Sequence, residues 1–426
     1  MILRFALGNF LSFKEVQTIS FEASALKDTT EPIFNQTATG SKILKSLSIY
    51  GMNSSGKSNL LKGFTFMKYW VINSFTDSNK MSQIPIQQFL LNRKMENENT
   101  LLEVVFLIGD IKYRYGLELT KEVIKSEWLF YSEPKKKEQN YFVRAGQEIG
   151  YTNSLKKASI IKIEPILSYT KPNVLFISVL SQFNIEIGNS ILSWFHNNKI
   201  GFDFNSEFFI NKTASLFEDK EYFLAIHELI KLAQLGFTSV VSEKQGKYSS
   251  SEKISAEFLE FALQEEMNDY KVETKHNIID DNSDGVTPIY FDLRRQESLG
   301  TQKFFAIAGA LLMAIRNNNI LWIDELDSKF HPLLFETIIK FFNSHKFNHK
   351  GAQLIFTTHS TQLLKDKILR RDQIYTVDKN NFGVSEIKGM HNANVRIDSS
   401  YEKLYLEGKF GNLKKIDLDD EQLKLF

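Results

Sequence analysis

The segment Gly51-Met52-Asn53-Ser54-Ser55-Gly56-Lys57-Ser58 places two glycines, a lysine and a hydroxyl at the spacing G-x-x-x-x-G-K-[ST]. That spacing suits the wrapping of a chain of phosphates. The glycines let the backbone curl, so that amides of Asn53, Ser54 and Ser55 point at the phosphates, and a helix beginning near Lys57 adds its positive end. Lys57 reaches the outer phosphates, Ser58 offers a hydroxyl to Mg²⁺, and Asn59 continues the nucleotide-binding turn. The ligand so specified is Mg-ATP.

Two further groups fit the same chemistry. Ile320-Leu321-Trp322-Ile323 is an apolar run ending in Asp324-Glu325, the pattern of a buried parallel strand that delivers carboxylates at its C-terminal edge. Asp324 would hold Mg²⁺ and Glu325 would orient and polarise the attacking water, because phosphoryl transfer needs positioning and charge neutralisation. Leu354 to Thr358 repeats the buried-strand pattern and ends at His359-Ser360, which puts an imidazole within reach of a terminal phosphate.

These groups need an α/β scaffold. Leu47 to Tyr50 reads as a strand entering the glycine-rich turn, and β and α patterns alternate again from about residue 285 to Val377. The start is different: Ile2 to Phe10 and Val16 to Phe21 read as antiparallel strands, and Leu101 to Leu119 as two strands joined at Gly109-Asp110. Glu133 to Asn140 reads as a charged turn between further strands. From about Asn189 to Gln264 the periodicity is helical, including Ile254, Phe258 and Phe261, and the polar stretch Lys275 to Gly285 closes that region. The expected division is a discontinuous main domain, 1–120 and 285–411, an inserted β-hairpin and mainly helical lobe, 121–284, and a charged tail, 412–426.

Composition narrows the class. The chain has 426 residues, with 52 Lys and Arg against 51 Asp and Glu, so no global field recruits nucleic acid or a membrane. It has no cysteine, which excludes disulfides, thiolate metal sites and Cys nucleophiles and fits a reducing, cytoplasmic setting. The apolar stretch Ala306 to Ile315 is short for a membrane span. Other clusters read as ordinary surface: His345 and His349 as exposed histidines, Lys135 to Lys137 as a solvated loop, Arg294-Arg295 and Arg370-Arg371 as solvated strand ends, and Asp417, Asp419 and Asp420 as a charged tail.

In their order along the chain, these motifs resemble those of ABC ATPases. Glu297-Ser298-Leu299-Gly300-Thr301-Gln302 stands where that family carries its signature, with Leu299 and Thr301 in place of the first Gly and the Gln of Leu-Ser-Gly-Gly-Gln. Leu326-Asp327-Ser328 resembles the D-loop, and Asn9-Phe10-Leu11-Ser12-Phe13 the first strands of the chromosome-maintenance and recombination branch. The stretches Glu297 to Thr301, Asp324 to Pro332, Thr357 to Ser360 and Tyr405 to Gly411 are similar to stand-alone ATPases of bacterial phage defence, of the RloA-like, Septu PtuA-like and OLD types. The resemblance implies an ABC ATPase head with a mixed sheet and a phosphate-loop core. It implies a homodimer, with a higher oligomer left open, in which Ser298, Gly300 and Asp327 serve ATP shared with the partner chain, and Gln88 stands where a metal-contacting Q-loop residue belongs. It also implies a separate, nuclease-like effector docked on the helical lobe or on Tyr401 to Gly411, and it leaves nucleic-acid contact open. A DNA-maintenance ATPase is the alternative, but 240 residues without sustained heptads separate Ser58 from Ser298, which leaves no room for long coiled-coil arms.

Overall fold

A computed structural model describes residues 1–26, 34–36, 40–78, 80–157, 159, 162–201, 207–247, 268–279, 286–365, 368–393 and 399–410. The chain opens with β1 (Ile2–Gly8), β2 (Gln17–Ser20), β3 (Phe34–Gln36) and β4 (Lys42–Leu44). Then β5 (Ser46–Tyr50) runs into the phosphate loop and α1 (Lys57–Asp77). Five strands follow: β6 (Thr100–Ile108), β7 (Ile111–Leu119), β8 (Ile124–Ser132), β9 (Gln139–Ala145) and β10 (Glu148–Tyr151). The middle of the chain holds α2 (Asn153–Lys157), α3 (Glu164–Leu167), α4 (Phe176–Gln182), α5 (Glu186–Asn197), β11 (Lys199–Gly201), α6 (Glu207–Ser215) and α7 (Lys220–Ala233). Next come β12 (Ser239–Lys247), β13 (Asn268–Ile279), β14 (Val286–Asp292), α8 (Leu299–Asn317), β15 (Ile320–Ile323) and α9 (Pro332–Asn343). The described chain closes with β16 (Gln353–Thr358), α10 (Gln362–Lys365), β17 (Ile374–Lys379), β18 (Ser385–Gly389) and α11 (Tyr401–Leu406).

The fold is α/β and its core sheet is mixed, in the order β11-β15-β16-β5-β17-β18, with only β18 antiparallel to its neighbour. β5, β15 and β16 are wholly buried, as strands covered on both faces must be. Because they run parallel, with Thr358 opposite Tyr50 and Phe356 opposite both Ile323 and Ser48, their C-terminal ends share one edge. That edge is where an open α/β sheet leaves its ligand crevice.

A second sheet, β10-β9-β8-β7-β6-β1-β2, is antiparallel throughout. α1 is sandwiched between the sheets: Phe64 stacks on Trp322 of the core sheet at 4.6 Å and meets Phe5 of the antiparallel sheet edge-on at 5.4 Å. Trp194 of α5 stacks on Phe106 at 3.9 Å, so this helix seals the same layer. Truncating an aromatic side chain in such a layer to Ala costs about 3–5 kcal/mol. On the other face of the core sheet lies α8, capped by Ser298, whose hydroxyl accepts from Thr301 N. α8 is long and apolar enough to cross a membrane by length and composition, but 78% of that window is buried inside the fold.

Residues 121–151, assigned to the insertion from the sequence, extend the antiparallel sheet without a break at 120, through β8, β9 and β10. Among the described residues between 153 and 233 helices predominate, interrupted by β11, but β12 and β13 follow, and the stretch expected to close the lobe begins inside β13. β14 completes that three-stranded sheet from beyond the expected boundary at 285. Ile254, Phe258, Phe261, Asp417, Asp419, Asp420 and the tail 412–426 lie outside the described residues.

The arginine pairs correct the sequence-based expectation. Arg370 and Arg371 are 5% and 6% exposed, and Arg370 pairs with Asp372 at 2.8 Å. Arg294 donates to Glu207 at 2.6 Å, to Tyr270 O at 2.9 Å and to Asn211 at 2.8 Å. Arg294 thus ties α6 to β13, whereas Arg295, His345 and His349 are exposed as expected.

Candidate functional site

The phosphate loop is shaped by crowding at its two glycines. A Cβ on Gly51 would collide with the Val377 carbonyl and Ser55 Oγ, and one on Gly56, whose φ is +114°, with Ser385 Oγ and Ser12 Oγ. Only glycine fits both positions. Ser385 Oγ braces the loop by donating to Ser55 O at 2.6 Å and sharing a hydrogen bond with the Ser12 hydroxyl at 2.8 Å, and Asn59 Nδ2 donates to the same Ser12 Oγ at 2.8 Å. Asn59 is therefore a loop brace, and Met52, Asn53 and Ser54 form the exposed crest. α1 begins without a side-chain cap and without an acidic residue in its first turn, which leaves its first amides to face an anion.

Lys57 is buried and folds over the loop, donating to Gly51 O and Met52 O, both at 2.9 Å. Burial lowers its pKa, opposed by Asp324, Glu325 and Asp327. The acids reach it because β15 ends beside β5 and β16. Thr357, fully buried in β16, donates to Asp324 Oδ1 at 2.5 Å and accepts from Glu325 N at 2.7 Å. Glu325 has a left-handed backbone, φ +46°, uncommon for a residue with a side chain and held here by surrounding contacts. One contact comes from Lys303 of α8, whose ammonium donates to Glu325 O at 2.7 Å and Ser328 O at 3.0 Å. The Glu325 side chain is exposed at the crevice.

His359 follows β16, and its amide donates to Asp327 Oδ2 at 3.2 Å. Burial first, then the charge of Lys57, holds its imidazole below the ordinary value of 6.5, against the pull of Asp327, Glu325 and Asp324. The ring is thus neutral at pH 7, able to donate through one nitrogen and accept through the other. Lys57, Asp324, Glu325, Asp327 and His359 therefore share one electrostatic neighbourhood, assembled from three strand ends.

This donor set fits a magnesium–triphosphate group. Asp327 Oδ1 and Ser55 Oγ are buried with no hydrogen-bond partner in the fold. Among the described residues no three His, Asp or Glu side chains form a metal cage. A divalent ion here would therefore take oxygens from Ser58, Asp324 and phosphate, the usual habit of Mg²⁺.

Ser298 and Leu299 are exposed at the start of α8, and Gly300 is pressed against Lys329 O. The signature thus lies at the surface beside the turn that carries Asp327. Gln88 is 1% exposed with a partnerless Oε1, and its segment is tied to the first hairpin by Leu11 N to Gln87 O at 2.9 Å and Phe89 N to Asn9 Oδ1 at 3.1 Å. Thr357 and Lys303 escape sequence reasoning, although a lysine within an apolar helix was a signal for the second.

Residues 47–365, three quarters of the chain, match the family described as AAA domain, putative AbiEii toxin, Type IV TA system. No curated protein matches the chain in sequence. Among solved structures, the SMC head domain from Thermotoga maritima is similar at a TM-score of 0.39 and 15% identity, over 91% of this chain and 98% of that one. The recombination mediator protein RecF with ATP gives 0.30 and 12%, over 91% and 97%. CbiO1 from Clostridium perfringens, part of the ABC transporter complex cbiONQ, gives 0.32 and 10%, over 96% and 92%. The family match spans the phosphate loop, the acidic strand and the His359 strand, and the chain belongs to this AAA-domain family.

Proposed function

We propose that the chain binds Mg-ATP, closes as a homodimer around it, hydrolyses it and thereby controls a separate effector protein in anti-phage defence. The observation that carries the ATPase reading is the convergence of Lys57, Asp324, Glu325, Asp327 and His359 at one sheet edge, next to a phosphate loop with uncapped helix amides. When bound, Mg²⁺ would neutralise phosphate charge from Ser58 and Asp324. The loop amides and Lys57 hold the phosphates, Glu325 takes the proton of the attacking water, and neutral His359 hydrogen-bonds at the terminal phosphate. Thr357 and Lys303 fix the backbone from which Glu325 projects.

The homodimer reading is supported by the exposed Ser298 and Leu299 at a helix start, where amides can meet phosphate bound by another chain. The defence setting is supported by the motif resemblance and by the family description, which names a putative toxin of a toxin–antitoxin system. Against a DNA-moving arm stands helix length: among the described residues the longest helix is α1, with 21 residues. The deciding experiment is ATP hydrolysis by the purified chain, with nuclease assays on DNA and RNA alongside. Turnover lost in Lys57→Ala, without cleavage of either nucleic acid, is the expected result. Nucleic-acid cleavage that survives Glu325→Gln would overturn it.

A further inference from the structure

Residues 399–410 take part in no step above, yet they touch the crevice at two places. Tyr405 of α11 is 7% exposed, its ring lies edge-on to Tyr50 at 5.6 Å, and the Gly51 amide faces its phenol oxygen. Tyr50 is the last residue of β5 and Gly51 the first of the phosphate loop. Four residues beyond α11, Phe410 O accepts from Thr376 Oγ1 at 2.6 Å, and Thr376 is the register partner of Tyr50. The loop's point of departure is thus gripped from the side by Tyr405 and through β17 by Phe410. At the other end of the helix, Glu402 Oε1 accepts from Thr361 Oγ1 at 2.7 Å. Thr361 stands two residues after His359 and its carbonyl accepts the Leu364 and Lys365 amides of α10, so this bond fixes where the His359 turn ends.

We propose that α11 is a strap that sets the nucleotide site, with Tyr405 a positioning residue for the phosphate loop and Glu402 one for the His359 loop. It rests on the ATPase reading. The helix is amphipathic in the required sense: Tyr401, Tyr405 and Phe410 face inward, while Lys403, Leu406, Glu407 and Lys409 are exposed. The buried face of the segment expected to dock an effector is therefore filled by the chain's own strand ends, and its open outer face carries Lys403, Glu407 and Lys409 together with Leu406.

The two contacts predict opposite kinetic signatures, which general loosening would not give. In the full-length chain, Tyr405→Phe removes only the oxygen facing Gly51 and is expected to raise KM for ATP about three- to tenfold, with kcat within about twofold of the parent. Glu402→Gln is expected to lower kcat by about the same factor with KM unchanged, and Glu402→Asp to recover part of it. Melting temperature is measured beside each variant, and Thr361→Val tests the second contact if Glu402→Gln does not fold. Parental kinetics in Tyr405→Phe and Glu402→Gln, or KM and kcat moving together in both, overturns the strap. The fluorescent analogue mant-ATP separates this from the ATPase reading. A parent that binds mant-ATP but turns over no ATP sinks that reading, while an unchanged mant-ATP affinity in Tyr405→Phe sinks the strap.

Discussion

Two of the places where the described fold buries charge follow opposite rules. Behind the antiparallel sheet, Glu127 and Arg144 have no exposed side-chain surface and lie 3.6 Å apart. Glu127 also accepts from Phe176 N at 2.6 Å, Ile177 N at 3.0 Å and Tyr115 OH at 3.0 Å, and Arg144 donates to Val174 O at 2.6 Å and Gly146 O at 2.7 Å. This cluster answers its polar atoms within the fold and so anchors α4 to the sheet. In the crevice one lysine faces three acids, Asp327 Oδ1 and Ser55 Oγ lack partners, and Glu325 stands in a left-handed conformation. Groups left unanswered inside a native fold point to a ligand, because leaving them so costs stability that selection for the fold alone would remove.

The comparison is broken or sharpened by substitution, beginning with the largest effect. Lys57→Ala is expected to abolish ATP binding or turnover, and Glu325→Gln to keep binding while lowering turnover more than about 100-fold. Steady-state hydrolysis beside mant-ATP binding separates the two, and parental turnover in Glu325→Gln would remove it as the base. At the other cluster, Glu127→Ala strands a buried guanidinium and is expected to cost about 3–5 kcal/mol in urea unfolding. By contrast, Asp327→Asn should leave stability unchanged or raise it. Equal losses at the two sites would erase the distinction.

A third, smaller effect tests whether the crevice is shared. Ser298→Arg is expected to preserve nucleotide binding by each chain and to block closure of the dimer. Mixing Lys57→Ala chains with Ser298→Arg chains rebuilds one intact site per mixed pair, so hydrolysis should reappear. No recovered activity on mixing would refute composite sites. The smallest effect is in pH. The fold lowers the pKa of His359, so just below pH 6.5 the unfolded chain binds more protons there than the folded one. This contribution to stability is complete above pH 6.5 and is lost as pH falls toward the folded value. An imidazole NMR titration should give a pKa below 6.5 that rises in Lys57→Ala, and one at 6.5 or above would separate His359 from Lys57.

By itself the sequence determined what is local. The phosphate loop is eight consecutive residues whose chemistry follows from spacing, and Ile320 to Ile323 of β15 and Leu354 to Phe356 of β16 are short apolar runs of the kind that buried parallel strands carry. The hairpin at Gly109-Asp110 was legible for the same reason, since a two-residue turn fixes its own register. Tertiary structure decided what depends on distant partners. Charge pattern read Arg370 as solvated, but in the fold it is 5% exposed and paired with Asp372 at 2.8 Å. Residues 239–247 fell within the stretch read as helical, but β12 is held as a strand by its pairing with β13, and pairing of that kind overrides local periodicity. The bonds Thr357 to Asp324 and Glu402 to Thr361 span 33 and 41 residues of sequence. No local pattern specifies such bonds, because they exist only once separate strand ends and helices have been packed to the same edge.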